Sequence, residues 1–536
     1  MAIVESPMQR ERAQTIFEKS KPGRRAAVLP AAEVPEPPLE ELIPARLLRS
    51  EPPRLPEVAE PEIVRHYNRL SRRNFDLDTG FYPLGSCTMK HNPRLNERVA
   101  ALPGHARLHP AQDPKRAQGA LGLMWLLQGS LAEICGLPHV SLQPSAGSHG
   151  ELAGLLLTRA FHADRGEART KVLAPDTSHG TNPASVTMAG YEIVKVATDE
   201  RGGVEMDDLR AKVDDEVACL MLTNPNTLGL FDQNIAEIAA LIHAVGGTLY
   251  YDGANLNAVM GHSRPGDMGF DIVHVNLHKS FSQPHGGGGP GAGPIAVSDR
   301  MEPFLPRPQV VRRARRDAGR NGGEARGSRH PRSGSGKADG RPDPKIGSGR
   351  DDHFYDLDFD RPKSIGRLRG FQGNFGVFVR SYAYILSLGA DGLAEASETA
   401  VLNANYLKAR LAEGRAGEYL PVAFERHCMH EFVLSGKPMK KELGIATLDL
   451  AKRLLDFGFH PPTVYFPLLV EEALMIEPTE TETKESLDAF AEAIERILAE
   501  AEEDPETAKQ APYTTPVRRL DEVKATRKPV VRQPLD

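Results

Sequence analysis

The sequence predicts a large α/β domain built on a doubly wound, mostly parallel β-sheet, followed by a smaller C-terminal α/β domain. Its 536 residues are too many for a single hydrophobic core. Short apolar segments alternate with helical stretches through the first 300 residues. Beyond a basic, glycine-rich stretch, helices and short strands resume in a different order, which indicates a second domain.

Short apolar segments that end in polar turns are predicted as the strands of the large sheet. Helical stretches such as 234–244 separate several of them, the pattern of parallel strands joined by helical crossovers. A helix that starts at Asp113-Pro114 and stops at Gly136 precedes the first strand. Ligands of such sheets bind at the carboxyl ends of the strands. The predicted strands cover 140–144, 171–174, 191–196, 217–222, 248–252, 271–275 and 294–297.

Composition divides the chain into five regions. Nine prolines between Pro30 and Pro61 predict an extended N-terminal arm over residues 1–70. Residues 312–350 carry twelve Lys and Arg against four Asp and Glu, with few apolar side chains, so we predict a disordered basic insertion. The predicted regions are the arm (1–70), the large domain (71–310), the insertion (311–352), the small domain (353–503, with helices at 375–388, 394–411 and 482–501 and strands at 431–434 and 474–476) and a polar tail (504–536).

Composition also narrows the class of protein. The net charge of −6 argues against a nucleic-acid binder, and no apolar run approaches the ~18 residues of a membrane span. The four cysteines are scattered without a CxxC pair, so we expect free thiols, a reducing compartment and no metal site. The N-terminus lacks the apolar core of a secretory signal, and the cytoplasm is the expected location.

The segment from Asp271 to Gly293 carries the central candidate, Lys279. It reads as a buried strand, a polar turn with His278 and Lys279, and a run of glycines. A lysine held at the end of a buried strand suits an amine that must form an imine with a carbonyl. Most lysines beside glycine-rich loops are surface residues, so the assignment depends on the rest of the chain.

The other strand ends offer what pyridoxal 5'-phosphate needs besides an imine lysine. Asp252 can keep the pyridine nitrogen protonated, His179 can stack on the ring, and Asn224 can donate to the phenolic oxygen. Ala254 is small enough to pass beneath the ring. Alone, Asp252 would more often be a strand-end cap, whereas for His179 the stacking role is favoured over that of a loop histidine. The predicted phosphate cradle is the turn Ser145, Ala146, Gly147 and Ser148, which opens a helix.

Five motifs resemble one family, the P-protein of the glycine cleavage system, and within it the C-terminal-half subunit of bacteria whose P-protein is split. They are QPSAGSHGE, PDTSHGTNPAS, TNPNTLGLFD, YYDGANLNA and NLHKSFSQPHGGGGPG. The similarity extends from FEKSKPGRR through GFYPLGSCTMKHNP and RPKSIGRLRGFQGNFGV to MIEPTETETKESLDAF.

The resemblance implies a fold type I pyridoxal phosphate enzyme whose cofactor lysine is Lys279. It implies a glycine dehydrogenase (aminomethyl-transferring) that releases CO2 from glycine and passes the aminomethyl group to the lipoyl arm of H-protein. It also implies a companion subunit 1 in a heterotetramer of two of each, working with T-protein and L-protein. His278 would be a proton relay or a structural hydrogen-bonding group.

Two features depart from expectation. MIEPTETETKE carries no arginine for a substrate carboxylate, which would favour its loss as CO2 unless Arg367 or Arg369 pairs with it. The basic stretch 312–350 is not associated with the family, and a lineage insertion or a reading-frame error would both explain it.

Three other interpretations remain. Another fold type I enzyme, such as a transaminase or an aldolase, would use the same lysine and aspartate. A nicotinamide enzyme is weakly indicated because Gly286, Gly288 and Gly291 satisfy GxGxxG, but Pro290 interrupts the motif and no acidic residue follows at the usual distance. A non-catalytic scaffold half is disfavoured because Lys279 and Asp252 are both retained.

Overall fold

The computed structural model describes residues 13–286, 289, 291–314 and 353–532. A seven-stranded sheet forms the large domain in the order β1-β7-β6-β5-β4-β2-β3, and only β7 runs against the others. The strands are β1 (His139–Ser141), β2 (Lys171–Pro175), β3 (Glu192–Val196), β4 (Val217–Thr223), β5 (Thr248–Gly253), β6 (Ile272–Val275) and β7 (Ile295–Val297). The predicted mostly parallel, doubly wound sheet is confirmed.

Alternate residues of the central strands face two separate hydrophobic cores. Tyr251 and Val273 pack into the core beneath α5 and α9, whereas Tyr250 and Ile272 pack into the core beneath α6. Because both faces are covered, every residue of β4, β5 and β6 is buried. The helices up to β7 are α1 (Leu39–Leu42), α2 (Glu60–Ser71), α3 (Arg94–Ala100), α4 (Pro103–Ala106), α5 (Gln118–Cys135), α6 (Gly147–Asp164), α7 (Thr181–Met188), α8 (Met206–Lys212), α9 (Ile235–Ala244) and α10 (Leu277–Ser280).

A three-stranded antiparallel sheet, in the order β10-β12-β11, forms the small domain. The amphipathic helix α15 lays Leu487, Phe490 and Ile494 into its core. The strands are β10 (Phe432–Ser435), β11 (Thr463–Val464) and β12 (Ala473–Ile476). The helices are α11 (Phe375–Leu411), α12 (Gly414–Tyr419), α13 (Lys437–Glu442), α14 (Thr447–Asp456), α15 (Lys484–Glu503), α16 (Pro505–Lys509) and α17 (Glu522–Arg527).

The two helices predicted over 375–411 are joined as α11. Gly389 has a positive φ of 67° inside it, so the helical geometry breaks there, close to the predicted gap. None of the helices in the described ranges is both long enough and apolar enough to cross a membrane.

The structure corrects the predicted regions at four places. Residues 311–314, predicted as disordered, belong to β8 (Gln309–Ala314), which pairs antiparallel with β9 (His353–Asp358). The rest of the predicted insertion, 315–352, lies outside the described residues. Helix α2 occupies the end of the predicted extended arm, since the prolines stop at Pro61 in its first turn.

The third correction concerns the loop 81–90, predicted as part of the large domain. Phe81 packs in the small-domain core, and Leu84 forms a β-bridge with Ile476. The fourth correction concerns the polar tail, predicted as a second arm, in which Ala508 and Ala511 are buried. The loop 81–90 therefore joins the two domains at the edge where the predicted site lies.

Candidate active site

Five strand ends meet at one edge of the large sheet. Ser145 follows β1, His179 follows β2, Asn224 follows β4, Asp252 lies near the end of β5, and Lys279 follows β6. Parallel strands direct their carboxyl ends to the same edge, so residues far apart in sequence come together there.

Asp252 is a buried carboxylate held by three groups. Asn182 Nδ2 donates to its Oδ2 at 3.0 Å, and the backbone N–H of Ala254 donates to its Oδ1 at 3.0 Å. His274 Nε2 lies 3.3 Å from Oδ1, and His274 Nδ1 is 2.6 Å from the Tyr250 hydroxyl. Burial acts to raise the pKa of Asp252, but the charge of His274 and the two hydrogen bonds hold that pKa below its ordinary value. The site therefore holds a negative charge at the end of β5.

Lys279 lies on the single turn α10, directly after the buried strand β6. Its charge acts on Asp252 and on the small-domain residues Glu431 and Glu477. Lys90 fixes the end of this turn, since its buried Nζ donates to the carbonyl of Ser280 at 2.9 Å.

The predicted cradle opens α6, where Ala146 is extended and Gly147 is the first helical residue. A Cβ on Gly147 would lie 2.3 Å from Asn276 Oδ1, and one on Gly293 would lie 2.0 Å from the carbonyl of Ala146. Ser145 is half-buried and contacts His149, while Ser148 is exposed. Only glycine fits at position 293, where the obstacle is backbone, and at position 147 a side chain would have to displace that of Asn276. The first-turn N–H groups of α6 have no intrahelical acceptor.

His179 is exposed at the rim of the site. Its Nδ1 lies 2.9 Å from the hydroxyl of Thr181, which donates to buried Glu151 at 2.7 Å, and its ring meets the edge of Phe466 with 5.8 Å between centroids. These two contacts hold the predicted stacking residue at the rim of the site, and its role on the cofactor stays a prediction.

The Asn224 side chain contacts the backbone of Asp232, and its predicted hydrogen bond to the phenolic oxygen stays a prediction. Its Oδ1 accepts from the N–H of Asp232 at 2.9 Å, and its Nδ2 donates to the carbonyl of Asp232 at 3.5 Å. The fully buried amide closes the loop after β4, so it shapes the wall of the site.

His278 is a half-buried imidazole. Burial and the charge of Lys279 lower its pKa to about 4, and its Nδ1 has no hydrogen-bond partner among the described residues. At neutral pH it is therefore no acid, which restricts the predicted relay to the role of proton acceptor.

Two sequence profiles match the chain. The family described as "Glycine cleavage system P-protein" matches residues 36–315, and "Glycine dehydrogenase, C-terminal domain" matches residues 396–518. The "Probable glycine dehydrogenase (decarboxylating) subunit 2" of Caldanaerobacter subterraneus subsp. tengcongensis is 53% identical over 98% of this chain and 99% of its own length. That of Halalkalibacterium halodurans is 55% identical over 96% of this chain and 97% of its own length. The chain belongs to the glycine cleavage system P-protein family.

Solved structures give this P-protein chain the same fold. A crystal structure of glycine decarboxylase (P-protein) in inhibitor-bound form superposes with a TM-score of 0.67 at 21% identity, over 85% of this chain and 94% of that one. The cysteine desulfurase CsdA of Escherichia coli superposes with a TM-score of 0.55 at 14% identity, over 79% and 95%. The predicted family and the predicted fold type I architecture are both confirmed.

The sequence predictions do not include the small-domain wall of the site. Glu431 and Glu477, both fully buried, flank β10 and β12. Ser86 and Thr88, in the loop 81–90, donate to them. A carboxylate placed directly beside a short apolar strand, as in HEFVL and LMIEP, was the available signal.

The two arginines considered for a substrate carboxylate lie in different surroundings. Arg369 Nη1 donates to Asn374 Oδ1 at 2.6 Å, and Asn374 Nδ2 in turn donates to the carbonyl of Ser145 at 3.1 Å. The Arg367 guanidinium lies over the ring of Phe359 at 5.6 Å. Arg369 is therefore connected to the cradle, whereas the contact of Arg367 is with an aromatic ring.

Proposed function

We propose that this chain binds pyridoxal 5'-phosphate at Lys279, decarboxylates glycine and passes the aminomethyl group to the lipoyl arm of H-protein. Glycine decarboxylation is the activity of the family to which the chain belongs. The observation that carries the proposal is Lys279 at the end of β6, beside the ionised Asp252 on the neighbouring strand β5.

The residues present fit the cofactor. The cradle at Gly147 and the helix that it opens suit a phosphate, with Arg369 adding positive charge through Asn374. The His274-braced carboxylate of Asp252 suits a protonated pyridine nitrogen. His179 and Ala254 are proposed on the two faces of the ring. Among the described residues, Asn276 Oδ1 and His278 Nδ1 are buried without a hydrogen-bond partner, as expected where a polar ligand belongs.

The chemistry divides between the cofactor and the chain. When bound, the cofactor accepts the electron pair that remains when CO2 leaves. Asp252 supports that role because its charge favours a protonated ring nitrogen, and Asn182 and His274 hold its carboxylate in place. Lys279 would hold the cofactor through its amine, which the amine of glycine would replace. Neutral His278 can accept a proton during that exchange.

We also propose that the chain works in the cytoplasm together with a companion subunit 1. The names of the relatives include "subunit 2", and the described arm exposes large apolar side chains, among them Val28, Leu29 and Leu39. Such side chains suit a surface that a partner covers. The T-protein and the L-protein would complete the system.

Exchange of labelled bicarbonate into the carboxyl group of glycine tests the proposal. We expect exchange that requires this chain, lipoylated H-protein and the candidate subunit 1 together. Bound cofactor without exchange would contradict glycine as the substrate and favour another fold type I enzyme acting on a small amino acid. Exchange without subunit 1 would contradict the split-subunit arrangement alone.

A further inference from the structure

Two carboxylates lie opposite each other on neighbouring strands of the small-domain sheet. Phe432 pairs with Ile476 in the antiparallel register of β10 and β12, so Glu431 stands opposite Glu477 at the next position. Both side chains are fully buried. Like charges in directly opposed positions destabilise a sheet, and buried ones do so more strongly. The small-domain core alone gives no reason for such a pair.

The surrounding hydrogen bonds hold both carboxylates in place. Ser86 donates its backbone N–H to Glu431 at 2.8 Å, and Thr88 donates its N–H at 3.0 Å and its hydroxyl at 2.6 Å to Glu477. From the loop after β5, Asn257 Nδ2 lies 3.5 Å from Glu477. Residues of both domains therefore converge on the pair.

Two further acceptors beside the carboxylates lack partners. His430 Nε2 lies 3.7 Å from Glu431 and 3.9 Å from Glu477, and neither of its ring nitrogens forms a hydrogen bond among the described residues. Asn257 Oδ1 is likewise buried without a partner in that part of the chain. A fully buried imidazole and amide with free polar atoms indicate that a donor belongs there.

We propose that Glu431, Glu477, His430 and Asn257 form an ammonium pocket beside Lys279. Its ligand is a primary ammonium, either that of the incoming amino acid or that of Lys279 when it is displaced. The proposal deepens the proposed function and rests on it for the identity of the incoming amine. It places the amine at the small-domain wall and directs the carboxylate of the amino acid away from two acidic side chains.

The hydrogen-bond donors of a primary ammonium match the acceptors that the pocket offers. A primary ammonium offers three N–H donors and no acceptor, and the pocket presents carboxylate oxygens, an amide oxygen and an imidazole. Burial and mutual repulsion raise the pKa of Glu431, and burial raises that of Glu477, so the empty pair retains a proton. A bound cation would let both carboxyls ionise. Burial also lowers the pKa of His430 to about 3, which keeps it neutral and able to accept.

The full-length chain, co-produced with subunit 1 and loaded with pyridoxal phosphate, provides two readouts. The first is the pKa of the Lys279 imine, from the pH dependence of its visible absorbance without glycine. The second is the glycine concentration that gives a half-maximal spectral change. The other titratable groups that interact electrostatically with Lys279 are Asp252, His278, His285, Cys87 and His430. Glu480 acts on Glu477 of the pocket itself.

Replacing either carboxylate by its amide should move at least one readout. We expect Glu431→Gln and Glu477→Gln to lower the proton affinity of the imine, or to raise the required glycine concentration, by about tenfold. A shift in the first readout shows that the two carboxylates face the nitrogen of Lys279, so that its ammonium would enter the pocket when the lysine is displaced. A shift in the second assigns the pocket to the incoming amine. Glu472→Gln is the matched control, because Glu472 is also buried in the small domain but binds Thr447 and Lys440.

A variant expected to shift the two readouts in the opposite direction keeps the test decisive if the Gln variants misfold. Asn257→Asp adds a carboxylate to the same wall and should raise the proton affinity of the imine or lower the required glycine concentration. Gln variants that bind cofactor and change neither readout by more than about twofold would overturn the pocket. If they fail to fold, an Asn257→Asp variant without any shift would overturn it. Shifted readouts without bicarbonate exchange would leave the pocket standing and refute glycine decarboxylation.

Discussion

His274 Nε2 lies 3.3 Å from Asp252 Oδ1, and the two residues are register partners on the parallel strands β6 and β5. The Tyr250 hydroxyl, 2.6 Å from the other ring nitrogen, completes a buried chain of three polar side chains. The charge of the predicted aspartate is therefore supported from the strand next to its own.

Replacing His274 by asparagine should make activity sensitive to acid. The charge of His274 holds the pKa of Asp252 down against burial, so without it that pKa rises. Because activity requires the ionised carboxylate, the acid limb of the pH–rate profile should move to higher pH. His243→Asn is the control, since His243 pairs with Asp271 instead. An unmoved acid limb would show that His274 does not set the charge of Asp252.

Removing the amine of Lys279 should abolish the visible absorbance of bound cofactor together with activity. Lys279→Ala eliminates the nitrogen that forms the imine, whereas Lys363→Ala removes an exposed lysine paired with Asp164 and should change neither. Absorbance titration and bicarbonate exchange would measure the two effects. Turnover retained by Lys279→Ala would refute the central assignment.

Filling the cradle should weaken cofactor binding. A Cβ on Gly147 would meet Asn276 Oδ1 at 2.3 Å, and overpacking of ~1–3 kcal/mol predicts an affinity loss of roughly tenfold for Gly147→Ala. In α5, Gly129 has open space around its Cα, so Gly129→Ala should leave affinity unchanged and stabilise the helix by about 1 kcal/mol. Equal cofactor dissociation constants in the two variants would contradict the cradle.

Lys90 should stabilise the contact between the two domains. Its buried Nζ donates to Glu480 at 2.9 Å and to the carbonyl of Ser280 at the same distance, so Lys90→Met leaves a carboxylate uncompensated. Breaking a buried pair predicts a loss of about 3 kcal/mol in the free energy of unfolding, measured by urea denaturation. The double variant Lys90→Met, Glu480→Gln should recover part of that loss. A double variant less stable than the single one would contradict this origin.

The residues 315–352 should be dispensable for the active site. Ala314 and His353 are paired residues of the β8–β9 ladder, so a two-residue Asn-Gly turn can join them directly. We expect the shortened chain to keep its cofactor absorbance and its thermal midpoint. A shortened chain that loses the cofactor would show that the replaced residues support the site.

The residues at the strand ends could be predicted from the sequence, whereas most of the residues that contact them could not. Lys279, Asp252 and the Ser145–Ser148 turn could be found because each follows an apolar segment whose period and length mark a buried strand. Asn182 and His274 could not, since one lies in a helix and the other reads as part of an apolar strand. The two-domain contact was also missed, because it depends on the packing of the loop 81–90 against Glu431 and Glu477.

The sequence by itself determined the parallel sheet, the edge that carries the site and the lysine at its centre, because these depend on local hydrophobic pattern and on chirality. The tertiary structure alone decided which charges surround that lysine. Glu431 meets Glu477 through a strand register, and Asp252 meets His274 through another. Such pairings are fixed by cross-strand hydrogen bonds between distant segments, and no local pattern in the chain encodes them.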